Sequence, residues 1–395
     1  MIIISGPPPG PGGMGRLMAG LEHDASQSGR DVRFIYGPAG TFAVRALRRG
    51  QIGRGLGALW RSFLGLRRLA SVLGDASVLE ASEPVVLMHF QTLGNRWLRR
   101  FVAGRKNPTW LFLADSAHFC VRNFNFIEGE TTACLRCVGG NFTPAAQHRC
   151  PPYPVSNRRA ACNLLTDLRG WVASGRIKLL AQTRLQAQIA RRHFGPAATI
   201  RVIGLWTVDM PVPFVSPAPA EWPLRREVVY HGSAVPGKGC FWSMELALLT
   251  PELSFLFPYS WREVSRFQGG PPKNCRFKEM TWETGLADVV RRAQMVLAPS
   301  LWSAPVEGAL IKSILYANAV AVVNELTGFS SQVPGSVVLR LPSKPSDAAE
   351  SLRHALATGW QPDKAARAAW LSDFEAGNRH LLERMANLNE SLIPD

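Results

Sequence analysis

Acidic side chains are scarce in this chain: 29 Asp and Glu stand against 45 Lys and Arg, giving a formal net charge of +16 and a pI near 10.2. Such a surface attracts polyanions, whether nucleic acid, an anionic membrane face or a phosphorylated small molecule, and composition alone does not choose among them. Long apolar runs are also missing. None approaches the roughly 20 residues of a bilayer crossing. The first, Met1 to Ile4, breaks at Ser5-Gly6-Pro7, short of the about 7–15 apolar residues of a secretory leader. Cysteines number seven, too few and odd for a secreted disulfide scaffold, so the expected compartment is the cytosol. The 35 Gly and 29 Pro follow no collagen period and fall in discrete loop-like runs. Apolar material is ample: 46% of the 395 residues are hydrophobic, enough for a sizeable core. The length exceeds what one core usually holds, about 250–300 residues, and predicts more than one domain.

The pattern opens as strand, glycine loop, helix, strand: Ile2 to Ile4, Ser5 to Gly13, Met14 to Ser28, Val32 to Tyr36. That order predicts a parallel α/β sheet. Further buried strands are expected at Pro84 to Phe90, Thr109 to Ala114 and Lys178 to Gln182, with helices at Gly94 to Gly104 and Arg184 to Phe194. The Pro-rich stretch 207–226 reads as a linker. After it the pattern restarts: strand Glu227 to His231, loop Gly232 to Gly239, helix Cys240 to Leu249. Strands follow at Leu253 to Pro258, Met295 to Ala298 and Val320 to Val323, with a helix at Ala309 to Tyr316. Two successive α/β halves are the expectation.

The run Gly10-Pro11-Gly12-Gly13-Met14-Gly15 formally matches G-x-G-x-x-G, but the second strand runs into Gly37-Pro38 with no acid to hold a ribose. Gly12 and Gly13 are therefore read as a close approach of backbone to ligand in a cleft, or as a structural turn. The second loop places Lys238 between a strand end and a helix start, where amides and helix dipole already favour an anion. It is no Walker loop, because Gly239 follows the lysine. An ordinary solvated loop lysine is the other reading. In Leu297 to Lys312 a strand ends at Pro299 and a helix begins near Gly308, so the amides of Gly308, Ala309 and Leu310 would face a phosphate or sugar. Ser303 and Glu307 offer acceptors for sugar hydroxyls; the other reading is that Trp302 and Pro305 merely pack the loop.

These features together resemble a GT-B glycosyltransferase of the GT4-type group. The carriers are Gly232 to Gly239 with Lys238, then Leu297 to Gly308 (LAPSLWSAPVEG), with Gly12-Gly13 and Ile203-Gly204-Leu205 in the first half. The resemblance spans nearly the whole chain. It implies an α/β, GT-B architecture of two Rossmann-like domains facing a central cleft. Residues 1–206 would bind the acceptor, 227–372 the nucleotide-sugar, and 373–395 would form a helix crossing back. It implies transfer from a UDP- or GDP-sugar to a hydroxyl, with retention and no obligatory metal cofactor. Donor contacts are expected from Gly232, Ser233, Lys238, Gly239, Ser303, Glu307, Gly308, Ala309, Leu310 and Lys312. The chain also departs from the pattern. Ser233 stands where an arginine is usual, and Ala304 and Lys312 stand where two glutamates are usual, with Glu307 displaced by three. Either Glu307 substitutes, or the donor is held differently, or activity is lost.

Asp115 and His118 follow the strand Thr109 to Ala114, where the resembling family carries a His-Asp pair. With Ala114 before it, only the aspartate transfers. Asp115, His118 and Glu307 are the catalytic candidates, and His89, at another strand end, is a cleft candidate with Gly12 and Gly13. Cys134-Leu135-Arg136-Cys137 forms a C-x-x-C flanked by Cys120 and Cys150, in a loop-rich insertion at about 116–160. Four thiolates would make a structural zinc centre; unliganded thiols, a disulfide or an iron–sulfur cluster are alternatives. Cys162, Cys240 and Cys275 read as plain core or loop residues.

Arg45, Arg48, Arg49, Arg54, Arg61, Arg67 and Arg68 punctuate a stretch that also holds Leu47, Leu56, Leu59, Trp60, Phe63, Leu64 and Leu66. This is a basic amphipathic helix or helix pair, of the kind that lies on anionic lipid, or else a solvated cationic face. Arg96, Arg99, Arg100, Arg105 and Lys106 add charge. The expected partners are a nucleotide-sugar, a glycan or lipid-linked acceptor and an anionic membrane surface, with the protein peripheral on the inner face of the cell membrane. A zinc-containing nucleic-acid-binding protein and an inactive GT-B scaffold are the competing readings. The two α/β halves and the Lys238 loop suit a small phosphorylated ligand better than nucleic acid.

Overall fold

The computed structural model describes residues 1–10, 12–38, 52–154, 157–207, 209–210 and 225–389. Arg45, Arg48 and Arg49 lie outside the described residues, as does most of the expected linker 207–226. The chain divides into two compact units. The first comprises Met1–Asn123, Arg136–Asp209 and Asn378–Asp395; the second comprises Phe124–Leu135 and Met210–Gly377.

The first unit is a parallel sheet of β1 (Ile2–Ser5), β2 (Arg33–Tyr36), β3 (Val85–Met88), β4 (Thr109–Phe112), β5 (Ile177–Ala181) and β6 (Ile200–Val202). Its order is β2-β1-β3-β4-β5-β6. Register runs Ile3 to Val86, Leu87 to Leu111 and Leu111 to Leu179, so continuous Val, Ile and Leu runs lie side by side. Such runs are buried on both faces because helices cover both sides of a parallel sheet. The covering helices are α1 (Gly13–Ser28), α2 (Ile52–Val72), α3 (Asn95–Gly104), α4 (Arg158–Ala173) and α5 (Arg184–Phe194). Side-chain caps start two of them: Asn157 accepts from the Ala160 amide and Thr183 from the Gln186 amide.

The second unit has β7 (Arg225–Tyr230), α6 (Cys240–Leu249), β8 (Ser254–Phe257), β9 (Cys275–Phe277), α7 (Ala287–Arg292) and β10 (Ala293–Leu297). Then come α8 (Gly308–Tyr316), β11 (Val320–Val323), β12 (Leu339–Leu341), α9 (Pro345–Thr358) and α10 (Lys364–Asn378). The sheet is again all parallel, in the order β12-β11-β10-β7-β8-β9. Connection direction reverses between β7 and β10, and ligands of doubly wound sheets bind beyond the carboxyl ends of strands at that point. The loops Gly232 to Gly239 and Pro299 to Glu307 leave these two strand ends.

The chain re-enters the first unit at Asn378, whose side chain accepts from the Leu205 amide at 2.8 Å. In the segment 373–395, expected to form one helix, α10 ends at Asn378 and α11 (Leu381–Ala386) follows. Arg384 of α11 donates to the Ile203 carbonyl.

Candidate functional site

The fully buried Tyr230 closes β7, and its hydroxyl lies 2.8 and 3.0 Å from the carbonyl oxygens of Ser233 and Lys238. One side chain thus pins both ends of the loop. Gly232 leaves room for that hydroxyl, which a Cβ would meet at 2.6 Å. Gly239 has φ +79°, and a Cβ there would stand 2.0 Å from the Pro299 carbonyl oxygen. Only glycine lets α6 begin this close to the β10 loop. The Leu301 amide donates to the Gly237 carbonyl at 2.9 Å, which joins the two loops.

Lys238 donates to the carboxylate of Glu307. Its ammonium also lies 4.9 Å from the centre of the Trp302 ring and 6.0 Å from that of Phe124, and the two rings meet edge to face. Glu307 is buried, accepts a second bond from the Ser300 hydroxyl, and occupies the N-cap position of α8. The amides of Gly308, Ala309 and Leu310 form the first turn of α8 and have no carbonyl partner within the helix. A Cβ on Gly308 would meet nothing within 4 Å, so this helix start opens onto free space. A cation, a helix N-terminus and open space together suit an anion.

Other predicted donor residues are placed differently. Ser303 is buried and tied to Asn125: its amide donates to Asn125 Oδ1 at 3.0 Å and its hydroxyl accepts from Asn125 Nδ2 at 2.9 Å. The hydroxyl also lies 2.6 Å from that of Thr327. Lys312 is buried with its ammonium 5.0 Å from the centre of the Trp282 ring, which stacks on His231 at 5.5 Å. His231 Nδ1 lies 2.8 Å from the Ser313 hydroxyl.

Phe124–Leu135 therefore forms part of the second unit, although it branches from the first sheet. Phe124 and Phe126 pack on Gly237, Asn125 holds Ser303, and the Ala133 amide donates to Glu325 Oε2 at 2.8 Å. No sequence pattern marks Phe124, Asn125 or Glu325 for this role; their partners are far away in the chain.

In the first unit, His89 and Asp115 end β3 and β4 side by side, with His89 Nε2 3.8 Å from Asp115 Oδ2. Asp115 also accepts from Gln91 Nε2 at 3.1 Å and from the Ala117 amide at 2.9 Å. Burial pushes its carboxyl up from 3.8 to about 7 and pushes the His89 imidazole down to about 4. Both shifts disfavour charge, so the pair is a neutral imidazole beside a carboxyl that titrates near neutrality rather than an ion pair. His118 is held differently. Its Nδ1 donates to the Asp115 carbonyl oxygen at 2.9 Å, and its ring is buried against Phe119 and Phe194. Gly12 is the N-cap of α1 and Gly13 its first residue; a Cβ at either meets nothing within 4 Å.

Among the described residues no group of three or more His, Cys, Asp or Glu side chains is gathered to hold a metal. Cys134 belongs to the second unit and Cys120, Cys137 and Cys150 to the first. Cys137 and Cys150 pack with Val121, Ala145, Ala161 and Leu165 in a small apolar cluster.

No protein-family model matches the chain, and no curated protein matches it in sequence. Solved structures do match. The trehalose-6-phosphate synthase OtsA is similar with a TM-score of 0.58 over 100% of this chain and 99% of its own, at 12% identity. HepE of Anabaena, in complex with UDP and glucose, gives 0.57 over 98% and 99% at 12% identity. A UDP-forming α,α-trehalose-phosphate synthase from Burkholderia vietnamiensis gives 0.52 over 98% and 96% at 13% identity. At these identities the likeness speaks for the fold: two Rossmann-like units with parallel sheets give this chain the GT-B fold of glycosyltransferases.

Proposed function

We propose that the chain is a glycosyltransferase that moves a sugar from a UDP-sugar to a hydroxyl of a saccharide or lipid-linked saccharide, with retention of configuration. The observation that carries the proposal is the placement of Lys238 beside the N-terminus of α8, at the reversal point of the second sheet. A diphosphate there would be met by an ammonium and by the first-turn amides. The leaving nucleoside diphosphate gains negative charge as the sugar departs, and these groups stabilise it where it develops. The likeness to HepE, in complex with UDP and glucose, and to UDP-forming synthases favours uridine over guanosine. In the first unit, His89 and Asp115 would position the acceptor hydroxyl, and a carboxyl titrating near pH 7 suits proton transfer.

The test is UDP release from a panel of UDP-sugars, with and without simple saccharide acceptors. UDP release that rises with an acceptor supports transfer; no release from any donor, with binding retained, contradicts it. A second reading, a nucleotide-sugar-binding chain without turnover, is favoured by Lys312, which packs on Trp282 where a carboxylate would serve a ribose. The same panel separates the two.

A further inference from the structure

Between Asp31 and Asp75 the sequence holds eight arginines and no Asp or Glu, half of the chain's net charge of +16. Within this stretch α2 runs from Ile52 to Val72, about 31 Å at 1.5 Å per residue. Its two faces differ. Leu69 and Val72 are buried, and the Trp97 indole donates to the Leu69 carbonyl at 2.6 Å. Gly65 sits so near the end of β2 that a Cβ would lie 2.5 Å from the Gly37 carbonyl oxygen. That face packs on the first unit.

The other face carries Ile52, Leu56, Leu59, Trp60, Phe63 and Leu66, each between 45% and 66% exposed. At 100° per residue these six fall within about 120° of arc. Trp60 and Phe63 stack at 5.9 Å, and the Arg67 guanidinium lies 6.0 Å from the centre of the Phe63 ring. Scattered exposed apolar residues are ordinary, but six large ones on one face are not.

We infer that this face of α2 docks on an anionic lipid bilayer surface. Aromatic and aliphatic side chains would enter the headgroup–acyl boundary while the exposed Arg67 and Arg68 meet the lipid charge, the arrangement of an interfacial helix. The charge complementarity selects this occupant. A second copy of the chain would bring the same Arg67 and Arg68 against them and repel. A nucleic acid would use the charge but leave the six apolar side chains in water. Among the described residues no helix is long and apolar enough to cross a membrane, so the helix would lie on the surface.

Flotation of the full chain with phosphatidylcholine vesicles, with and without phosphatidylglycerol, tests the inference. Two double variants accompany it: Trp60→Ser with Phe63→Ser, and Arg67→Glu with Arg68→Glu. The expected result is binding to the anionic vesicles alone, weakened by at least about tenfold in each variant at an unchanged melting temperature. Failure to float, equal flotation of the variants, or a dimer that Trp60→Ser, Phe63→Ser makes monomeric would each overturn it. So would binding to nucleic acid in place of vesicles. A lowered melting temperature in the apolar variant would mean that the face packs within the fold, and would overturn it equally. None of these readouts depends on sugar transfer.

Discussion

Lys238 and Glu307 bond to each other across two loops, one leaving β7 and the other leading into α8. The lysine proposed to meet a diphosphate therefore already has a carboxylate partner. A bound diphosphate must draw the ammonium away from Glu307 or share it.

That competition gives the first prediction. Glu307→Gln removes the competing charge, so inorganic pyrophosphate should bind at least about threefold more tightly, with a lower melting temperature in the free protein. Calorimetric titration against the unaltered chain measures it. Weaker pyrophosphate binding in the variant would show that Glu307 helps hold the anion instead of competing with it.

Asn125 is fully buried and holds the Ser303 amide and hydroxyl as well as the Cys134 carbonyl, at 3.1 Å. Asn125→Ala leaves those groups buried without this partner, at a cost of about 2–4 kcal/mol. The loss should appear as a lower melting temperature together with a higher KM for the donor, because the Ser303 loop continues into Glu307. An unaltered KM would confine Asn125 to stability.

The raised carboxyl of Asp115 sets a pH dependence. Its folded value, about 7, lies above the ordinary 3.8, so the fold binds the extra proton. The stability this contributes is fully present below 3.8 and is lost as pH rises through about 7. Asp115→Asn stays neutral at every pH. Its melting temperature should therefore rise relative to the unaltered chain between pH 5 and pH 8. Parallel melting curves across that range would contradict the assignment.

How far the sequence carried the reading depends on distance along the chain and on burial. β11 at Val320–Val323 and α6 at Cys240–Leu249 were legible because a short, fully buried run and a Gly-started helix leave local marks. β6, β9 and β12 were not: each is three residues at the edge of its sheet and largely without full burial, so no apolar run announces it. Lys238 was legible from its glycine loop. The Asn125–Ser303 bonds span 178 positions, and nothing local to either residue signals them. Cys134 and Cys137, three apart in the C-x-x-C, are assigned to different units, which no local pattern signals. The pairing of His89 with Asp115 follows from β3 and β4 being neighbours in a parallel sheet, which strand prediction alone does not specify.

A nucleotide-sugar site built on Lys238 is open to thermal-shift titration with UDP-, GDP- and CMP-sugars. Stabilisation by a UDP-sugar is expected, with Lys238→Ala weakening that binding by at least about tenfold, since the ammonium is the one side-chain charge assigned to the diphosphate. No stabilisation by any of the three, or equal stabilisation of the variant, would contradict it.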